Sequence, residues 1–163
     1  MRRLALLCLV LAGCASSPER LLTPEQEAAD RSHIERVLDD LHHAAAVADG
    51  DLYWSLYADD AVFIGTDATE RWTLPEFRAF ADRYFERDSA WVFSATERFV
   101  HLSPAGDTAW FYEKLDSKSY GVARGSGALV RDGSKWKISH YVLSFPIPND
   151  IAGDVMKQVQ AAN

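Results

Sequence analysis

The hydrophobic period of this chain changes once, near residue 90, and that change limits the folds open to it. Upstream, Ile34, Val37, Leu38, Leu41, Ala45 and Ala48 recur at helical spacing. Thr23-Pro24-Glu25-Gln26 reads as the start of that helix: Thr23 caps, Pro24 suits the first helical position, and Gln26 completes a capping box. Asp49-Gly50 stops it, and Asp51 opens a short second helix holding Leu52, Tyr53, Trp54, Leu56 and Tyr57. Residues 61–65 read as a short strand. Thr73-Leu74-Pro75-Glu76 is another capping box, opening a helix with Phe77, Phe80, Ala81 and Tyr84 on one side. Downstream the period is two, which predicts strands over 91–102, 108–118, 122–131 and 135–145. Pro104-Ala105-Gly106-Asp107 and the tight hairpin at Asp132-Gly133-Ser134 separate them. Pro146 and Pro148 end the sheet, and Ile151, Val155, Met156 and Val159 suggest a loose final helix. Helices first and an antiparallel meander afterwards make an α+β fold, with N-terminal helices packed on one face of a strongly curved antiparallel sheet.

The first residues carry a separate message. Met1-Arg2-Arg3 is a short positive segment, and residues 4–11 are apolar but too few to span a bilayer. Leu11-Ala12-Gly13-Cys14 matches the bacterial lipobox. Residues 1–13 are therefore expected to leave as a signal peptide. Cys14 then takes a thioether-linked diacylglycerol and an acyl chain such as palmitate on its new amino group, the two lipids a stable anchor needs. The alternative is an ordinary secretory signal that contains a cysteine by chance. Residues 14–22 form a tether, 23–148 the domain and 149–163 a tail or short helix. Ala15, with no Asp in its place, favours the periplasmic face of the outer membrane under the sorting pattern of enteric bacteria. Cys8 and Cys14 are the only cysteines, so the mature domain has no disulfide and no thiol nucleophile. A net charge of -7 repels phosphate backbones and argues against nucleic-acid binding.

The motifs in their order resemble the SnoaL-like branch of the nuclear transport factor 2-like superfamily. They are Ala48-Asp49-Gly50-Asp51, Leu56-Tyr57-Ala58-Asp59-Asp60-Ala61-Val62-Phe63, Gly65-Thr66-Asp67 and Glu70-Arg71-Trp72, then Gly106-Asp107-Thr108-Ala109-Trp110, Arg124-Gly125-Ser126-Gly127 and Trp136-Lys137-Ile138. The resemblance covers roughly residues 30–148 and implies a cone, a bent sheet wrapped around helices with a pocket at the open end. Members include ketosteroid isomerase, scytalone dehydratase, limonene epoxide hydrolase and polyketide cyclases, alongside domains with no known chemistry, so the fold leaves the function open. Many members are homodimers that pair through the outer sheet face.

The family pattern buries Trp136 and Ile138. Period two then sends His140, Val142 and Ser144 inward. Pairing Val130 with Trp136 across the hairpin sends Ala128, Ser126 and Arg124 inward, and taking Ala109 as inward carries Phe111, Glu113 and Leu115 with it. The expected pocket thus has a polar end of Glu113, Arg124, Ser126 and His140, with Glu113 paired to Arg124 because a buried charge demands a partner. Trp54, Tyr57, Phe63, Phe80 and Tyr84 supply apolar walls. Glu113 and His140 are the candidate catalytic pair, with His140 able to exchange a proton near neutral pH. The competing reading is a satisfied salt bridge beside a core histidine.

Other candidates are weaker. Asp59-Asp60 suits a turn, and Asp67 and Glu70 belong to a loop near the mouth. His42 and His43, adjacent on a helix, point about 100° apart and cannot easily share an ion, and His33 is too far along to help. No metal and no cofactor are expected. Arg124-Gly125-Ser126-Gly127 lacks the G-x-S-x-G pattern of a nucleophile elbow. Trp110, Tyr112, Tyr141, Leu143 and Phe145 would face outward and make a homodimer patch. The leading expectation is a membrane-anchored module binding a small, largely hydrophobic ligand. An isomerase, dehydratase or cyclase using Glu113 and His140 is the competing class, and a structural partner in the envelope a third.

Overall fold

Thr23 starts the first helix as its capping box requires: Gln26 N–H donates to Thr23 Oγ1 at 3.3 Å, and Thr23 N–H donates back to Gln26 Oε1 at 3.0 Å. The computed structural model describes residues 21–162, so the signal segment, Cys14 and most of the tether lie outside the described residues. The elements are α1 (Pro24–Ala46), α2 (Gly50–Ser55), β1 (Tyr57–Ile64), β2 (Arg71–Thr73), α3 (Leu74–Phe85), β3 (Ser94–Leu102), β4 (Thr108–Ser117), β5 (Gly121–Asp132), β6 (Lys135–Ser144) and α4 (Ala152–Ala162). At α3, Glu76 Oε2 accepts from both the Thr73 N–H and the Thr73 hydroxyl, at 2.8 Å each.

The six strands form one sheet in the order β2-β1-β6-β5-β4-β3. The α+β class holds, but β1 runs parallel to β6, so the sheet is mixed rather than wholly antiparallel. Parallel neighbours need a long crossover, and the segment from β2 through β5 supplies it. Ile34, Val37, Leu38, Leu41, Ala44 and Ala45 form the buried stripe of α1. They pack on Ala109, Phe111, Leu129, Trp136 and Ile138 from the sheet's inner face. Tyr53 and Trp54 of α2 and Phe77 and Ala81 of α3 close the same core. Asp59 and Asp60 do not make a turn. They are exposed on β1, where the pairing with β6 slips between Tyr57 and Val62.

Two details of register decide which side chains enter the hollow. The β5–β6 hairpin has a two-residue loop, Gly133-Ser134, so Asp132 pairs with Lys135 and Arg131, not Val130, pairs with Trp136. Ala123, Gly125 and Leu129 are therefore buried while Arg124 is exposed. On β6 a bulge follows. Ile138 pairs with Leu129 and His140 with Ala128, leaving Ser139 as the extra residue. A bulge reverses the alternation of every side chain beyond it. Tyr141 is consequently buried and His140 is turned away from the core, its Nδ1 3.2 Å from the Val62 carbonyl of β1. The outer face keeps Trp110 and Tyr112, both exposed, with Phe99 stacked on Tyr112 at 4.8 Å. It does not hold Tyr141, Leu143 or Phe145, which turn to the cavity side beyond the bulge, and the expected outer patch is smaller by those three.

Deleting Ser139 would restore plain alternation and drive Tyr141 outward. That deletion should abolish cooperative thermal unfolding, whereas Ser139→Ala, which loses only a 3.2 Å bond to the Ala128 carbonyl, should cost about 1 kcal/mol. Circular-dichroism melts of the two variants measure both.

Candidate functional site

Glu113 is the polar centre of the interior. β4 alternates cleanly, so Ala109, Phe111, Glu113 and Leu115 all face the helices, and Glu113 is 1% exposed. Its partners differ from those expected. Pairing Leu102 with Ala109 across the β3–β4 turn sets Arg98 directly opposite Glu113, and Arg98 Nε donates to Glu113 Oε2 at 2.8 Å. On the other side Glu113 faces Gly125, not Arg124. The second oxygen, Oε1, lies 2.7 Å from His42 Nε2 and accepts from the Tyr141 hydroxyl at 3.1 Å. Arg98 continues outward to Asp39 on α1, at 2.7 Å. One buried carboxylate thus ties α1, β3, β4 and β6 together.

Gly125 makes room for this contact. A Cβ there would fall on the Tyr141 hydroxyl and within 2.8 Å of Glu113 Oε1. Burial alone would raise the Glu113 carboxyl, but the bond and charge of His42, with Arg98 beside it, overcome that and hold it below the ordinary carboxylate value. Burial, then the adjacent Glu113 charge, pushes the Tyr141 phenol well above its ordinary value, so it keeps its proton. Tyr53 and Tyr57, whose hydroxyls sit 3.1 Å apart, are likewise raised by burial.

Next to this cluster lies a cavity of about 220 Å3. His42 and Tyr141 belong to its lining, and Glu113 stands behind them. The walls are ring after ring. Phe63 stacks on Phe77 at 3.9 Å and on Tyr141 at 5.6 Å with an interplanar angle of 4°, and Trp72 stacks on Phe80 at 4.9 Å. Trp91, Phe93, Tyr120 and Phe145 complete the rim, and among the described residues Glu70 is the one carboxylate in the lining. Aromatic faces of this kind favour a flat, apolar guest, with a few polar groups to orient it.

Of the residues expected from sequence, Glu113 occupies the interior, and Phe63, Phe80 and Tyr84 line the cavity. Trp54 and Tyr57 are buried in the core beside α3 and do not line it. Arg124 and Ser126 fall on the outer side of β5, and His140 on the outer side of β6, for the register reasons above. None of the three reaches Glu113. His42, Arg98, Tyr141 and Gly125 take their places. His42 was legible: it follows Leu38 by four residues and precedes Ala45 by three, on the buried stripe of α1. Its neighbour His43 is exposed, as the helical angle demands.

Glu113 contributes stability while it is ionised. Because its folded value is depressed, that contribution is complete above the ordinary carboxylate value of 4.5 and drains away as pH falls below it. Glu113→Gln should lose about 3 kcal/mol at neutral pH and should show a flatter decline between pH ~5 and ~3 than the parent. Urea unfolding across that range gives both numbers, and parallel curves would contradict the assignment.

Residues 34–148 match the family profile described as the SnoaL-like domain. Among solved structures, the chain is similar to a candidate aromatic ring hydroxylase of Novosphingobium aromaticivorans, at 22% identity and a TM-score of 0.62 over 74% of this chain and 92% of that one. It is similar to an NTF2-like protein of unknown function from Pseudomonas putida, at 20% identity and a TM-score of 0.63, covering 76% and 91%. A candidate dehydratase of the NTF2-like family from Streptomyces avermitilis aligns at 15% identity and a TM-score of 0.62, covering 75% and 99%. At these identities the likeness shows the fold. No curated protein sequence matches the chain.

Proposed function

Because this chain belongs to the SnoaL-like domain family, we propose that it is a lipid-anchored module of the bacterial cell envelope whose hollow holds a small, largely hydrophobic molecule with a flat ring. The cavity carries the reading. Its walls are mainly aromatic faces, His42 and Tyr141 in its lining are held by Glu113, and its rim is open. A purely structural partner domain would have no use for an open cavity of this make-up. Trp72 and Trp91 stand in the wall, so a bound ring should quench or shift tryptophan emission. A Phe63→Ala variant, which removes the plate between Phe77 and Tyr141, should weaken that response about tenfold, as expected for loss of one ring contact and its burial. Fluorescence titration with a panel of small aromatic molecules reads the effect, and an emission spectrum indifferent to every member counts against the reading.

The anchor rests on Arg2-Arg3, the apolar run and Leu11-Ala12-Gly13-Cys14. Cells fed labelled palmitate should label the chain and hold it in the outer-membrane fraction. Cys14→Ser should remove both label and membrane association, and a labelled Cys14→Ser protein would refute Cys14 as the acceptor.

A second reading makes the same site an enzyme, an isomerase, dehydratase or cyclase working by acid–base chemistry. The 2.7 Å contact of His42 Nε2 with a buried carboxylate favours it, since such a pair orients an imidazole and stabilises it when it takes a proton. His42, not His140, would then carry the proton. The aromatic ring and dehydratase chemistry named for the two relatives fit either reading. Following the titrations by NMR for product separates binding from turnover.

A further inference from the structure

We propose, resting on the anchored ligand-binding reading above, that the cavity opens away from the membrane that holds the protein, so that its guest is a small molecule arriving through water and not a lipid drawn from that bilayer. The inference comes from which end of the sheet each feature occupies. Leu22, where the segment from Cys14 joins the domain, donates its N–H to the Pro104 carbonyl at 3.1 Å. A Cβ on Gly106 would collide with the Leu22 side chain, so the β3–β4 turn is fitted closely to the incoming chain. Arg131 Nε donates to the Gly106 carbonyl at 2.7 Å, and its guanidinium pairs with Asp30, to which Trp136 Nε1 also donates at 3.2 Å. The first turns of α1, the β3–β4 turn and the β5–β6 hairpin therefore share one end of the domain with the attachment point.

The rim of the cavity is at the other end. Phe93 precedes β3, Tyr120 lies between β4 and β5, and Phe145 follows β6. The three rings stack in series, Phe93 on Tyr120 at 5.9 Å and Tyr120 on Phe145 at 5.5 Å. On β4, Thr108 is beside the attachment end and Ser117 beside the rim, and ten residues of strand place them about 30 Å apart. Cys14 stands eight residues before Leu22. That length reaches at most about 29 Å when fully extended and spans about 16 Å as a random coil. Turning the rim onto the bilayer would need the segment to run back along the whole flank of the domain at its full extension, with all its conformational freedom lost. A domain lying on its flank faces the rim along the membrane, not into it. The size of the cavity agrees. About 220 Å3 is below the ~300–1,000 Å3 of pockets for drug-sized ligands, which leaves room for one or two rings and none for the chains of a membrane lipid.

Cys8 and Cys14 are the only cysteines, so the lipidated chain has no free thiol and accepts a single fluorophore wherever a cysteine is introduced. Ser134→Cys marks the β5–β6 hairpin at the attachment end and Ser119→Cys the β4–β5 turn at the rim, both exposed positions. With the full chain in phosphatidylethanolamine–phosphatidylglycerol vesicles that carry an acceptor dye on their headgroups, energy transfer should be severalfold weaker from residue 119 than from residue 134. Equal or stronger transfer from residue 119 overturns the orientation. A Cys14→Ser chain mixed with vesicles containing a pyrene-labelled phospholipid should leave that lipid in the vesicles when they are sedimented, while binding naphthalene added from water. Lipid carried off with the protein overturns the water-borne guest. Failure to bind naphthalene, with energy transfer as expected, overturns the ligand-binding reading and leaves the orientation standing.

Discussion

A carboxylate sealed between a sheet and a helix is the constraint around which this domain is arranged. Glu113 has almost no contact with solvent, and an isolated charge in such a place is far too costly to keep. It survives because four elements each send it something: Arg98 from β3, His42 from α1, Tyr141 from β6, and from β5 a glycine that sends nothing and so leaves space. Each contribution fixes a register. Arg98 must lie opposite Glu113, α1 must present the His42 side of its stripe, and β6 must bulge at Ser139 for Tyr141 to face in. The aromatic cavity is bounded by the same groups, so the device that stabilises the interior also sets the polarity of the floor.

Much of this was written in local pattern. The two capping boxes, the buried stripe of α1 and the alternation along β4 are short-range features, and they put Glu113 inside without any knowledge of its neighbours. The partners were harder because they depend on counts of one residue. Placing the hairpin loop at two residues rather than three moves Arg124 and Ser126 from the inner face of β5 to the outer. One extra residue on β6 exchanges His140 for Tyr141. Nothing in Ile138-Ser139-His140-Tyr141 announces a bulge, since its cause lies in the match of β6 to β5 on one side and to β1 on the other. Arg98 and His42 were recoverable in principle. The first follows from the β3–β4 turn, and the second is a polar residue on an apolar helical face, the kind of local conflict that often marks a site.

The site is an economical one. The imidazole of His42 and the phenol of Tyr141, both held by Glu113, give a bound ring polar groups to meet. The same arrangement can also pass a proton to or from such a molecule, with Glu113 and Arg98 balancing the charge on His42. Binding and acid–base chemistry are therefore two uses of one geometry, and they part company only on whether the bound molecule changes. An anchor at Cys14 would keep such a pocket close to the membrane, with its mouth turned to the water.

The account turns on where the hydrogen of His42 sits. A nitrogen-15 NMR spectrum of the histidine side chains, taken at mildly alkaline pH with His42 assigned by substitution, reports this directly. The structure predicts a protonated Nε2, facing Glu113. A spectrum with the hydrogen on Nδ1 alone would mean that His42 does not donate to Glu113, and the buried carboxylate would lose one of the three side-chain partners that hold it.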